Sequence, residues 1–179
     1  MKSILLALGI MMNTQPIKIV TVDSSSKEVL ATKTEDIQEG ELYLANEISD
    51  QLMASLKPYL PAAGLAAPQI GISKSMFIYS YDRDPNHLET VINPKWTPIS
   101  EDRIEGWEGC FSVLLSDGIW QLASIPRYEK IKVKYTNLDG KIIEKELDGF
   151  GAKVFQHECD HLEGLVCIYR TDAAIKSFD

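Results

Sequence analysis

The chain has 179 residues, 45% of them apolar and 25% charged, which excludes a disordered or fibrous protein and suits one domain with a substantial core. Its formal net charge of -8 excludes a general nucleic-acid binder, because phosphate binding needs a concentrated positive field. Three cysteines, Cys110, Cys159 and Cys167, fall at irregular spacing; they form no disulfide framework and suit a reduced, cytoplasmic setting.

Residues 1–16 begin with one lysine and an apolar run from Ile4 to Met12. That run is well short of the roughly 20 residues a bilayer span requires, and no small-x-small cleavage pattern follows it. It reads as an N-terminal extension of a single domain covering 1–179, and no other stretch approaches a membrane span. Ile17 to Val22 has the β-branched content of a strand, broken by Ser24-Ser25-Ser26. From Leu42 to Tyr59 the apolar positions Ala45, Ile48, Leu52, Leu56 and Tyr59 recur at helical spacing, with prolines Pro58 and Pro61 to end the helix.

Small residues dominate from Ala62 to Gly71, where backbones can pack closely and Gln69 offers an amide donor beside Ala63 and Gly64. Ser75 to Tyr81 predicts a strand, His87 an exposed loop residue, and Thr90 to Pro94 a short strand stopped by proline. Gly109 precedes Cys110 and lets the chain turn sharply there, bringing backbone N–H groups to the cysteine. Arg127 to Tyr135 and Lys141 to Leu147 predict a hairpin about Asp139-Gly140. Asp148 is placed to cap the next helix and Gly164 to end it, and residues 165–179 predict a last short strand, Leu165 to Tyr169, and a tail.

The helix between those caps carries Gln156-His157-Glu158-Cys159-Asp160-His161. Two histidines one turn apart on one face can grip a metal ion, and Glu158 beside them can reach a metal-bound water. Such a spacing also arises by chance on surface helices. Here Phe150, Val154, His157 and His161 form one stripe and Phe155, Cys159 and Leu162 the next, so the helix is read as buried, where ionisable groups are costly unless paired or ligating. Catalytic sites of this kind take three protein ligands. Only 18 residues follow His161, none of them histidine, so the third ligand is sought upstream. Cys159 points away around the helix and Cys167 sits on an apolar stretch, leaving Cys110 as the best candidate. A thiolate with two imidazoles suits Fe(II) as well as Zn(II) or Ni(II).

Gly64-Leu65-Ala66-Ala67-Pro68-Gln69, Glu108-Gly109-Cys110-Phe111-Ser112 and Gln156-His157-Glu158-Cys159-Asp160-His161 resemble, in order and spacing, the three motifs of peptide deformylases. The resemblance covers about Ile17 to Tyr169. It implies an α+β fold, mixed and antiparallel strands around a metal-binding HExxH helix, and removal of formate from N-formylmethionyl nascent peptides. It also implies one divalent ion, natively Fe(II), with Zn(II), Ni(II) or Co(II) able to replace it, held by Cys110, His157 and His161. Glu158 would be the general acid/base for a metal-bound water, and Gln69 and the backbone N–H of Phe111 would stabilise the oxyanion. Phe150, Val154 and Ala63 are expected to wall the methionine pocket, near Gly64 and Gly109. Ala62, Phe111 and Leu114 depart from the usual family residues, and Leu114 to Pro126 is longer than usual. These departures touch the rim of the expected site. With no basic C-terminal helix, contact with the ribosome is expected to be transient if it occurs. Two other readings remain: a general HExxH metallopeptidase, disfavoured by the lack of a downstream ligand, and a silent deformylase-like binder of N-termini.

Overall fold

Helix α1, Leu42–Leu56, buries Ala45, Ile48, Leu52 and Leu56, the same three-and-four spacing that predicts it. Pro58 cannot supply an N–H, and the helix tightens into a 3-10 turn, Lys57–Tyr59. The computed structural model describes residues 15–178, so the expected extension over 1–16 lies almost wholly outside the described residues.

After α1 come β1, Gly64–Ala66, and β2, Met76–Tyr79, joined by a 3-10 turn, Ala67–Ile70, that carries Gln69. Then follow β3, Glu89–Pro98; β4, Arg103–Ile104; β5, Trp107–Leu114; β6, Trp120–Ser124; β7, Arg127–Tyr128; β8, Lys130–Thr136; and β9, Ile142–Asp148. Helix α2, Gly149–Leu162, and β10, Ala174–Phe178, complete the described chain. Strands pair antiparallel throughout, in sheets of order β1-β2-β3-β8-β9, β10-β6-β5 and β4-β7.

Strict alternation puts Ile131, Val133 and Tyr135 of β8 inside and its three lysines outside. Against that inner face packs α2, through Phe155, which meets Phe77 and Tyr79 edge-on at 5.2 and 5.5 Å between ring centroids. A separate cluster about Val113, Ala123, Ile125 and Val166 ties β5 and β6 to the segment after α2 and carries Cys110 toward the helix.

Four local expectations need correction. Residues Ile17 to Val22 form no strand: Val20 N–H donates to Gln69 O (2.8 Å) and Val22 N–H to Ser112 O (2.9 Å), so the segment bridges two elements and joins no ladder. Strand β3 runs on past Pro94, because that proline falls in a bulge between Ile92 and Lys95 where no ladder donor is needed. Leu165 to Tyr169 is no strand either. Val166 and Cys167 turn inward, Cys167–Tyr169 is a 3-10 turn, and the last strand comes later, as β10 on β6. Finally, Asp148 takes the N-cap position of α2 without a side-chain capping bond, while Gly149 N–H donates to Glu129 O at 2.9 Å.

Candidate metal centre and active site

His157 and His161 stand one turn apart on α2, their ring centroids 5.1 Å apart. Cys110, in the middle of β5, faces them with its Sγ 3.2 Å from His161 Nε2. One donor atom from each of the three lies within 4.8 Å of the others, close enough for the three side chains to converge on one metal ion. Outer partners orient the set. His157 Nδ1 meets Glu108 Oε2 at 2.7 Å, which leaves Nε2 free to ligate, the carboxylate–histidine pairing common behind metal-bound imidazoles. Burial alone would keep His161 neutral, the form that ligates, and His157 beside it adds to the effect, so its pKa lies well below the ordinary value. The Cys110 thiol is pushed well above its ordinary pKa by its hydrogen bond to Cys167 and by burial, so a bound cation is needed to hold the thiolate.

Behind Glu108 runs a chain of buried charge. Arg127 grips it with two bonds, Nε to Oε1 at 2.8 Å and Nη2 to Oε2 at 2.9 Å, and reaches Asp160 Oδ2 with Nη1 at 2.7 Å. Arg170 closes the far side of Asp160 at 3.0 Å. Burial opposes charge on Glu108, but the hydrogen bonds from Arg127 and His157 outweigh it and hold the pKa at about 2. For His157 burial again opposes charge, yet Glu108's bond and charge raise the pKa to about 9. A pairing of Glu108 with Arg127 is within reach of the sequence, but Asp160's partners are not visible from spacing, since Arg127 lies 33 residues from Asp160.

Glu158 is 4% exposed, and burial drives its pKa up to about 7. Its Oε2 is buried with no partner among the described residues. An orphaned carboxylate oxygen beside a thiol and two imidazoles fits a divalent ion and its reactants better than it fits an ordinary core. Gly64 makes room for this carboxylate: a Cβ there would sit 2.5 Å from Glu158 Oε1 and 3.0 Å from the Ile78 carbonyl. Opposite, the Gln69 carbonyl accepts from Ala66 N–H at 2.9 Å, so its Nε2 faces Cys110 Sγ and Ser112 Oγ, each at 3.2 Å.

These groups open on one cleft of about 570 Å³. Gln69, Cys110, Phe111, His157 and Glu158 line it together with Ala63, Gly64, Gly109, Phe150 and Val154, while His161 lies behind the wall at 1% exposure. His87 stays outside, exposed and bonded to Asp82. The cleft also holds side chains that the motifs do not point to: Tyr59, Trp107 and Trp120, and the cations Arg83 and Lys153. Lys153 was within reach of the sequence, because it precedes His157 by one helical turn on the same face. Arg83 was not, since its loop joins the cleft only through the fold.

Residues 16–176 match the family model described as polypeptide deformylase. A curated relative, "Peptide deformylase 1" of Nitrosomonas europaea, is 38% identical over 114 residues; the alignment takes in 60% of this chain and 62% of that protein, just under two thirds of its length. Among solved structures, the peptide deformylase of Thermotoga maritima shares 32% identity with a TM-score of 0.73, covering 87% of this chain and 97% of that one. A class I type b peptide deformylase from Acinetobacter baumannii, solved with Met-Ala-Ser bound, gives 27% identity and a TM-score of 0.75 over 87% of this chain and 99% of the other. With a family model spanning nearly all of the described residues and a fold shared with these enzymes, the chain belongs to the polypeptide deformylase family.

Proposed function

We propose that the protein hydrolyses the formyl group from the N-terminal formylmethionine of newly made peptides, with Cys110, His157 and His161 holding one divalent ion and Glu158 moving the protons. The observation that carries this reading is the buried Cys-His-His set beside the partnerless Glu158 Oε2, at the floor of a cleft of peptide-binding size. A divalent ion bound there supplies Lewis-acid polarisation and a water of lowered pKa. The donor set suits Fe(II) as the native ion, with Zn(II), Ni(II) or Co(II) as substitutes.

Glu158, held near neutrality in pKa by burial, takes a proton from the attacking water. As the water oxygen bonds to the formyl carbon, negative charge grows on the formyl oxygen. Gln69 Nε2, whose amide oxygen is held by the Ala66 N–H, and the backbone N–H of Phe111 donate to that oxygen in this scheme. Glu158 then returns the proton to the departing amine nitrogen as the C–N bond breaks, leaving formate and a free N-terminus. Phe150, Val154 and Ala63 form the apolar wall that takes the methionine side chain. The titratable Glu108 and Arg127 touch no reactant in this scheme; they orient His157.

No helix among the described residues is long and apolar enough to cross a membrane, and the three cysteines are free, which supports work in the cytoplasm on nascent chains. Nucleic acid has no place in the mechanism, and ribosome contact is transient at most.

Formate release from formyl-Met-Ala-Ser by anaerobically prepared protein tests the reading. Protein that holds metal and releases no formate would refute it. Glu158→Gln should retain metal and lose turnover by about 10²- to 10⁴-fold. Cys110→Ser should lose metal on dialysis; unchanged metal content would remove Cys110 from the ligand set.

A further inference from the structure

The cleft combines an apolar wall with two cations, although the protein as a whole carries a charge of -8. Lys153 is half-buried and lies one turn before His157 on α2, donating to the Trp107 carbonyl at 3.3 Å and filling the space beside Gly106, where a Cβ would sit 2.9 Å from its Nζ. Arg83 is exposed and lies over the Phe150 ring, 4.8 Å from its centroid. Among the described residues neither cation is ion-paired.

The acids nearest Arg83 in sequence are already engaged by their own loop. Asp82 accepts from Ser80 Oγ at 2.9 Å and Asp84 N–H at 3.0 Å and pairs with His87 at 2.8 Å; Asp84 accepts from Asn86 N–H and Nδ2, both at 2.8 Å. The two acids of the cleft floor are committed as well, Glu108 to Arg127 and His157, and Glu158 to the reaction. Burial above all disfavours the Lys153 ammonium; Glu108 opposes that, and the charges of Arg127 and Arg83 add to it. A bound carboxylate would relieve both cations.

We propose that Arg83 and Lys153 form a carboxylate subsite that selects formyl peptides with an acidic side chain at the second or third position. This rests on the deformylase reading of the same cleft. The positions follow from adjacency: Arg83 lies over the Phe150 ring and Lys153 precedes Val154 on α2, so both cations border the wall assigned to the methionine side chain, and at about 3.3 Å per residue the next one or two residues of an extended peptide come within their reach. The whole-molecule charge predicts the opposite preference, repelling acidic peptides, so the sign of the selectivity separates local recognition from the general field.

The test compares kcat/KM for formyl-Met-Ala-Glu-amide, formyl-Met-Ala-Gln-amide and formyl-Met-Ala-Lys-amide, with formyl-Met-Glu-Ala-amide as the second-position arm. Formyl-Met-Ala-Gln as the free acid shows whether a C-terminal carboxylate serves equally. Calorimetric binding of the deformylated Glu and Lys products gives a readout independent of turnover. The Glu peptide should exceed the Lys peptide by roughly three- to tenfold, less at high salt. That ratio should collapse toward one or reverse in Arg83→Gln/Lys153→Met. Equal rates for all peptides, or a ratio unchanged in the double variant, would overturn the subsite and leave deformylation standing. No formate from any peptide would overturn deformylation itself, and the subsite with it.

Discussion

Two groups of ion pairs in this protein use the same chemistry to different ends. Behind the candidate metal centre, Arg127 and Glu108 are 3% and 4% exposed at their side chains and interlock through two bonds. On the outer face of β8 and β9, Lys134 meets Glu144 at the same 2.8 Å, but the pair is 55% and 44% exposed. In the interior Arg127 and Glu108 have given up their water and depend on their partners, at the buried end of a chain Arg170–Asp160–Arg127–Glu108–His157 whose outer members Arg170 and Asp160 keep 23% and 15% exposure. On the surface, water and salt replace either partner at little cost, and the charges serve to keep the outer face of the sheet solvated.

The contrast can be broken first at its strongest point. Arg127→Met should destabilise the protein by about 3–5 kcal/mol, because it strands the buried Glu108 carboxylate and takes one partner from Asp160; urea unfolding that finds the variant near wild type would show the network to be relaxed or wet. Glu108→Gln should cost about 3 kcal/mol near neutral pH, from a pKa lowered from 4.5 to about 2. Because the folded pKa lies below the unfolded one, this contribution is complete above about pH 4.5 and is lost as pH falls toward about 2. The wild-type and variant stability curves should therefore converge in acid, and parallel curves down to that range would assign the acid sensitivity elsewhere. Gly64→Ala should cost less stability, about 1–3 kcal/mol, and act mainly on turnover, since the added methyl displaces the Glu158 carboxylate. Unchanged kcat there would mean that Glu158 works from another position. Smallest is Glu144→Gln, for which the urea midpoint should not move measurably; a clear shift would show that the surface pair has more structural weight than its exposure implies.

Much of the framework was legible along the chain because its signals are local. The three-and-four spacing of Ala45, Ile48, Leu52 and Leu56 announces α1, alternation with Asp139-Gly140 announces the β8–β9 hairpin, and the histidine spacing with its apolar stripes announces α2. Cys110 could be singled out by elimination, and the fold sets its Sγ 3.2 Å from His161. The errors fall where a segment's partners are nonlocal. Ile17 to Val22 has strand composition but spans two different elements, and Pro94 reads as a stop only if its neighbour on the ladder needs a donor.

Residue type and spacing were enough to set the two helices, the hairpin and the chemical kind of site this chain can build, because helical and strand periodicities act between near neighbours. The partners of Asp160, the room that Gly64 leaves for Glu158 and the gathering of Arg83 and Lys153 on one cleft came only from packing. Each joins side chains whose separation along the chain carries no information until sheets and helix bring them together, and burial then decides which charges must pair and which stay open to a substrate.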